Sequence, residues 1–353
     1  MKKNRTLIIT TIILAVVAVV LIWNNRYLST IDGEAADFRV YDTASVTKIY
    51  IANLDTDEVL LERQDKGWML NNRYQASQEK INQMLGTMMR LQIRNPVSIS
   101  SHNNVVSRLS SNGVKVEVYQ IVPRINLFEV IKLFPHEKCT KVYYVGDATK
   151  DNMGTYMLKE GADKAYVVYI PRMRGFLNTR YTPLVDDWRD HTIFKEQLAD
   201  IHSLKVELND EPTESFIVEN TGRHLYTLTR LANNFPIKSY DTLSVLNLLT
   251  SFSDIRFEES MNRRFSQETK DSITSEPFLH RITLTTNDGR ENVVTTFKKM
   301  VQIKDSEGRP TIEFEPDLDR LYALVNNNED FVLIQYYVFD KLLRPLSYYE
   351  KRN

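Results

Sequence analysis

The sequence predicts an α+β protein: an N-terminal transmembrane helix followed by two duplicated modules, each an antiparallel sheet packed against one main helix. Three observations carry that prediction. Residues 7–23 are uncharged and almost wholly apolar, and they follow Lys2, Lys3 and Arg5. The remainder aligns with itself at an offset near 155 residues, Phe38 falling on Ile193. Within each half, stretches with apolar residues two apart surround one stretch with apolar residues three and four apart, the periods of strand and helix.

At about 1.5 Å per residue the apolar run reaches roughly 26 Å, the lower limit for crossing a bilayer, with Trp23 and Tyr27 placed for the far interface. A cleaved signal peptide is the rival, but the run ends in Trp-Asn-Asn-Arg and lacks a nearby small-x-small site, so a retained anchor is expected for residues 1–30. The basic tip keeps the N-terminus cytoplasmic. This implies a bacterial inner-membrane protein whose residues after about 26 are periplasmic.

The whole chain has 353 residues, 42% hydrophobic and 26% charged, enough apolar material for two domains. With 45 basic against 46 acidic residues, it offers no general attraction for nucleic acid. The 11 glycines are few, and neither GxGxxG nor GxxxxGK[ST] occurs, so phosphate cradles are not expected. A single Cys139 excludes an internal disulfide.

The elements of the two modules, residues 31–185 and 186–353, follow in order. Val46, Ile49 and Ile51 match Ile201, Leu204 and Val206 as the first strand. Gly67-Trp-Met-Leu70 and His224-Leu-Tyr-Thr-Leu228 form a further extended stretch. Ser77 caps a helix carrying Ile81, Met84, Leu85, Met88 and Leu91; Asp241 caps one carrying Val245, Leu248, Leu249, Phe252 and Ile255, at an offset of 164. The growth in offset is assigned to the turn region 209–220. Lys115-Val-Glu-Val-Tyr119 then matches Arg281-Ile-Thr-Leu-Thr285, Lys141-Val-Tyr-Tyr-Val145 matches the stretch 295–303, and Ala165-Tyr-Val-Val-Tyr-Ile170 matches Phe331-Val-Leu-Ile-Gln-Tyr336. With one long helix per half, an antiparallel sheet covered on one face is expected.

The stretches VTKIYIANL, ERQDKGWML, QASQEKINQMLGTMMRLQ, VYYVGD and AYVVYI resemble the bacterial repeat domain of unknown function numbered 4340. The likeness extends over most of residues 40–345, and Asp187-Trp-Arg-Asp-His191 resembles the start of a new repeat. It implies a protein that is membrane-anchored or attached to the auxiliary proteins of gliding-type ABC transport systems, and it implies no known catalytic residues. Residues 121–140 depart from the pattern as an insertion.

Candidate chemistry is sparse. His136-Glu-Lys-Cys139 groups three metal-ligand types, but not at the spacing of a zinc helix, and a solvated loop is the expected reading. Asp186, Asp187, Asp190 and His191 form the densest acidic cluster, suited to acid–base work or a divalent ion; turn and capping chemistry at the junction explains them more simply. Arg172, Arg174 and Arg180, interleaved with Phe176 and Tyr181, have the forked, stacking chemistry that binds phosphate, a lipid headgroup or an acidic partner, against the simpler reading of a solvated basic turn paired with those acids. The 18 tyrosines and 15 phenylalanines lie mostly in strand-like runs and read as core.

Two functions are therefore set side by side. The first is a non-catalytic scaffold or accessory of an envelope or ABC-type transport assembly, with no cofactor, no nucleic acid, the membrane engaged through residues 7–23, and transporter subunits as partners. The second is a ligand-binding protein or envelope enzyme in which the arginines and the acidic cluster converge in one cleft between modules.

Overall fold

The computed structural model describes residues 11–18, 35–54, 57–127, 131–222, 225–305 and 307–351. The chain divides into two compact units, Met1–Asp190 and His191–Asn353. Antiparallel strand is the commonest element among the described residues.

The expected transmembrane helix is not found: among the described residues no helix is long and apolar enough to cross a membrane. Of the apolar run, residues 11–18 are helical (α1) and exposed, and the rest of residues 7–23 lies outside the described residues.

In the first unit come β1 (Val46–Ala52), β2 (Glu58–Gln64), β3 (Gly67–Leu70), β4 (Tyr74–Gln75), helix α2 (Gln78–Arg90), β5 (Gln92–Pro96), helix α3 (Ile99–Asn112), β6 (Val114–Leu127), β7 (Ile131–Ala148), β8 (Thr155–Lys159) and β9 (Tyr166–Tyr169). Their sheet order is β4-β3-β2-β1-β6-β7-β8-β9-β5. The second unit opens with β10 (Thr192–Phe194), then β11 (Ile201–Leu208), β12 (Phe216–Gly222), β13 (Leu225–Arg230), β14 (Phe235–Pro236), helix α4 (Thr242–Thr250), β15 (Ile255–Arg256), β16 (Glu259–Ser260) and helix α5 (Gln267–Ser275). It continues with β17 (His280–Thr286), β18 (Glu291–Phe297), β19 (Met300–Lys304), β20 (Pro310–Pro316), β21 (Arg320–Val325), β22 (Asp330–Gln335), α6 (Tyr336–Phe339) and α7 (Leu346–Tyr349). Its main sheet, β14-β13-β12-β11-β17-β18-β21-β22-β16, repeats the first in the same order.

Register makes the duplication quantitative. Ile49 and Ile51 pair with Val118 and Val116, as Leu204 and Val206 pair with Leu284 and Ile282. Ile49 also pairs with Leu61, and Leu204 with Val218, an offset of 157. Leu61 in turn faces Leu70 while Val218 faces Leu228, an offset of 158. The nine residues gained before the 164 offset of α4 therefore split as 157 − 155 = 2, 158 − 157 = 1 and 164 − 158 = 6. Most of the growth lies between β13 and the Asp241 cap, and little of it in the expected turn 209–220.

A second correction concerns β18, which spans residues 291–297. It sets Val294 opposite Ile282 where Tyr143 stands opposite Val116, so Lys141 corresponds to Asn292, not to Thr295. Residues 300–304 belong to a separate β19–β20 ribbon. The insertion at 121–140 is likewise a hairpin extension of β6 and β7, pairing from Gln120–Lys138 out to Leu127–Ile131.

One helix covers the main face of each sheet, and a second packs on the opposite face at the β7–β9 or β21–β22 end. Ile81, Met84 and Met88 of α2 pack with Ile49, Val116, Tyr143, Met157 and Val168, whereas Val105 and Leu109 of α3 pack with Tyr144, Tyr156, Leu158 and Ala165. Strand neighbours such as Tyr143 and Tyr144 point to opposite faces, so the two clusters lie on opposite sides. The second unit behaves alike: Val332 and Ile334 join the α4 core, while Phe331 and Leu333 join Met261 and Ile273. A sheet with one covered face and one main helix is thus replaced by a sheet between two helices.

Local chemistry fixes the turns and starts. The Ser77 hydroxyl accepts from the Lys80 amide and the Asp241 carboxylate from the Leu243 amide, the two caps read from sequence. Gly67 lies at φ 127 in the β2–β3 turn, and Asn326, Asn327 and Asn328 take left-handed conformations in the β21–β22 turn, where asparagine is tolerated.

Met88 and Phe252 are fully buried, one in each core, so Met88→Ala should cost about 2–5 kcal/mol and Phe252→Ala about 3–5 kcal/mol in urea unfolding. A change under about 1 kcal/mol would show that the site is loosely packed.

Candidate functional site: an arginine cleft

The site is assembled where the first unit's chain leaves β9. Ile170 is buried, and Pro171 and Arg172 turn the chain back, with Arg172 at φ 65 and the Met173 amide donating to the Ile170 carbonyl at 3.1 Å. The Leu177 amide donates to the buried Thr155 hydroxyl at 2.7 Å, and Leu177 and Tyr181 both enter the core. The one-turn 3₁₀ helix Asn178–Arg180 between them turns Arg180 outward.

Arg180 donates to the Thr87 hydroxyl on α2 at 2.9 Å, and its other terminal nitrogen lies 3.3 Å from the Met173 sulfur. Arg90, the last residue of α2, donates to the Gly86 carbonyl at 2.8 Å. Arg39 is set between buried Phe38 and Val40, in a segment held to α2 by the Val40 amide on the Met88 carbonyl at 3.1 Å. Its guanidinium lies over the Tyr41 ring, 4.7 Å from the centroid, and its Nε is buried without a hydrogen-bond partner.

These four arginines, with Gln92, Ile170, Pro171 and Met173, line a cleft of about 650 Å³. No carboxylate is among the described residues that line it. A guanidinium does not lose its proton in a protein, so the cleft keeps four positive charges at any working pH. Five N–H donors per side chain, few of them taken up by described residues, suit it to hold carboxylate or phosphate oxygens two at a time.

A second cleft of about 530 Å³ adjoins it, sharing Arg39 and Gln92 and lined further by Ala36, Asp37, Phe38, Tyr41, Leu91, Ile93 and Val168. Its one acid, Asp37, forms an ion pair with Lys141.

The duplicated fold supplies its own control. By the 164 offset, Arg90 corresponds to Asp254 and Gln92 to Arg256, and these two pair with each other at 2.7 Å. The hydrogen bond from the Val40 amide to the Met88 carbonyl recurs as Glu196 to Phe252, which aligns Phe38 with Phe194 and Arg39 with exposed Lys195. Around β10 the alignment thus slips by one residue from the one expected. Beyond β22 the second unit carries Phe339, Leu342, Leu346 and Tyr349, all buried. The same architecture thus stands without the arginines.

Of the residues singled out in sequence, Arg172 and Arg180 meet in the cleft, and Arg174 is exposed and off its lining. The acidic cluster does not join them. Asp186 lies 3.9 Å from Arg189, Asp187 accepts from the Thr182 hydroxyl at 2.6 Å, and the Asp190 amide donates to the Gln75 carbonyl at 2.9 Å. His191 stacks on Phe257, centroids 4.3 Å apart, and its carbonyl accepts from the Phe257 amide. Asp190 closes the first unit and His191 opens the second.

Sequence reasoning missed Arg39 and Arg90. Arg90 reads as an ordinary cation at a helix C-terminus, and Arg39, whose counterpart Lys195 is also basic, carries no signal in sequence.

His136, Glu137 and Cys139 lie on β7 and not on a loop. The His136 ring meets the Val122 carbonyl at 3.0 Å, Glu137 accepts from Thr47 at 2.6 Å, and burial pushes the Cys139 thiol up. Among the described residues no three histidines, cysteines or acids gather as metal ligands.

His280, at the head of β17, is a structural imidazole. Burial lowers its pKa to about 4, Asp210 pulls weakly the other way, and its Nδ1 lies 2.9 Å from the Thr296 hydroxyl. Because the folded value lies below the unfolded one, protons favour the unfolded chain: stability is complete above about pH 6.5 and falls as pH drops toward about 4, by up to about 3 kcal/mol. Urea unfolding from pH 7.5 to 4 should show this loss in the native chain, and His280→Gln should flatten it. An unchanged slope in the variant would assign the loss to other groups.

The family model for a domain of unknown function (DUF4340) matches residues 68–272, from β3 into α5, a span that contains Arg90, Arg172 and Arg180 and begins after Arg39. No curated protein and no solved structure matches the chain.

Proposed function

The chain belongs to the DUF4340 family of domains of unknown function, and from that premise and the geometry of the first unit we propose that it is a non-catalytic binding module that recognises an anionic group. The reading rests on one observation: four arginines converge on a cleft with no carboxylate among its described lining residues, in one copy of a fold that is built without them in the other. Holding several like charges together is unfavourable unless a counter-charge is supplied, and here the ligand supplies it. Such a module suits an accessory of an envelope or ABC-type transport assembly that grips an acidic partner or cargo. The enzyme alternative required the acids at 186–190 to face the arginines, and they are occupied with Arg189, Thr182 and the strand edge.

Calorimetric titration of the full chain with citrate and with inorganic phosphate tests the reading. Saturable binding that weakens with salt is expected. Arg39→Ala or Arg172→Ala should lower affinity at least tenfold, and Arg256→Ala in the second unit should leave it unchanged. Absence of saturable binding, or equal loss in all three variants, would contradict the proposal.

A further inference from the structure

We infer that the natural occupant of the arginine cleft is an extended acidic peptide segment that adds a strand beside β5; the inference rests on the anion-binding reading above. Among the described residues, strand β5 is the outer strand of its sheet, bonded to β9 on one side through Gln92–Tyr169 and Ile93–Val168. An outer strand presents unpaired amides and carbonyls, which an incoming strand can satisfy.

In the second unit, the residues that follow the helix find a partner inside the chain: β15 pairs with β10, Thr192 to Arg256 and Phe194 to Ile255. Their counterparts in the first unit are residues 36–38 and 91–92. Residues 36–38 form no strand there, and both stretches line the 530 Å³ cleft. The counterparts of β10 and β15 thus lie side by side in the first unit without strand pairing, with a cleft between them.

Shape and charge select the occupant. The two clefts share Arg39 and Gln92, so they run on from one another and suit a long ligand better than a single small ion. Ala36, Tyr41 and Ile93 border one stretch, and Arg39, Arg90, Arg172 and Arg180 give the other its charge. Alternate side chains of a strand point to opposite sides, so a peptide with acids at every second position aims its carboxylates one way while its backbone pairs with β5. Asp37 offers no opposition, being held by Lys141.

The test uses the full chain and three eight-residue probes: alternating Glu and Thr, the same peptide N-methylated at alternate amides, and alternating Lys and Thr. Fluorescence anisotropy should show the Glu peptide binding at least tenfold tighter than citrate. N-methylation should cost at least tenfold, and the Lys peptide should not bind. Hydrogen exchange should slow at residues 92–96 only with the Glu peptide. If citrate or phosphate binds as tightly as the peptide, or N-methylation changes nothing, the strand-addition inference is overturned and the anion site stands. If neither the peptide nor the small anions bind, both fall.

Discussion

Burial of both faces of each nine-stranded sheet at its β9 or β22 end is the constraint on which the rest depends. Tyr166, Val167 and Val168 in β9, and residues 330–334 in β22, are buried consecutively, which happens only when helices lie on both sides. With α2 or α4 on one face and α3 or α5 on the other, strand register has little freedom, since a one-residue slip would exchange the two faces. Elaboration is confined to the margins: the β6–β7 extension in the first unit, the β19–β20 ribbon and the lengthened β13–α4 connection in the second.

A scaffold fixed in this way tolerates divergence where chain segments leave the sheet. At the end of the α2-type helix and after the last strand, the second unit spends its residues on an Asp254–Arg256 pair and a buried apolar set, and the first spends them on arginines. The difference follows from neither strand geometry nor helix packing. Charge without counter-charge is a stability concession, and concessions of this kind accumulate at binding sites.

Much of the fold was legible in sequence because alternation and helical spacing report which side of an element is buried. The duplication, the Ser77 and Asp241 caps, and the matching of β6 with β17 and of β9 with β22 all followed from it. The second helix layer was missed because α3 buries only Val105 and Leu109 and α5 is largely polar, so neither shows a strong apolar stripe. The continuous apolar runs at β9 and β22 held the signal for it. The N-terminal helix expected from the apolar run is not a membrane span among the described residues. Half of the arginine set was legible as a local cluster; Arg39 and Arg90 come from distant segments, and only the fold brings them to Arg172 and Arg180.

The central claim is that these arginines serve a ligand and not the fold, and the most direct measurement is the urea unfolding midpoint of the Arg39→Ala/Arg172→Ala double variant against the native chain in an anion-poor buffer. The account predicts a variant as stable as the native chain or more so, because repulsion is relieved and no ion pair is lost. A loss above about 2 kcal/mol would mark the arginines as structural members and contradict it.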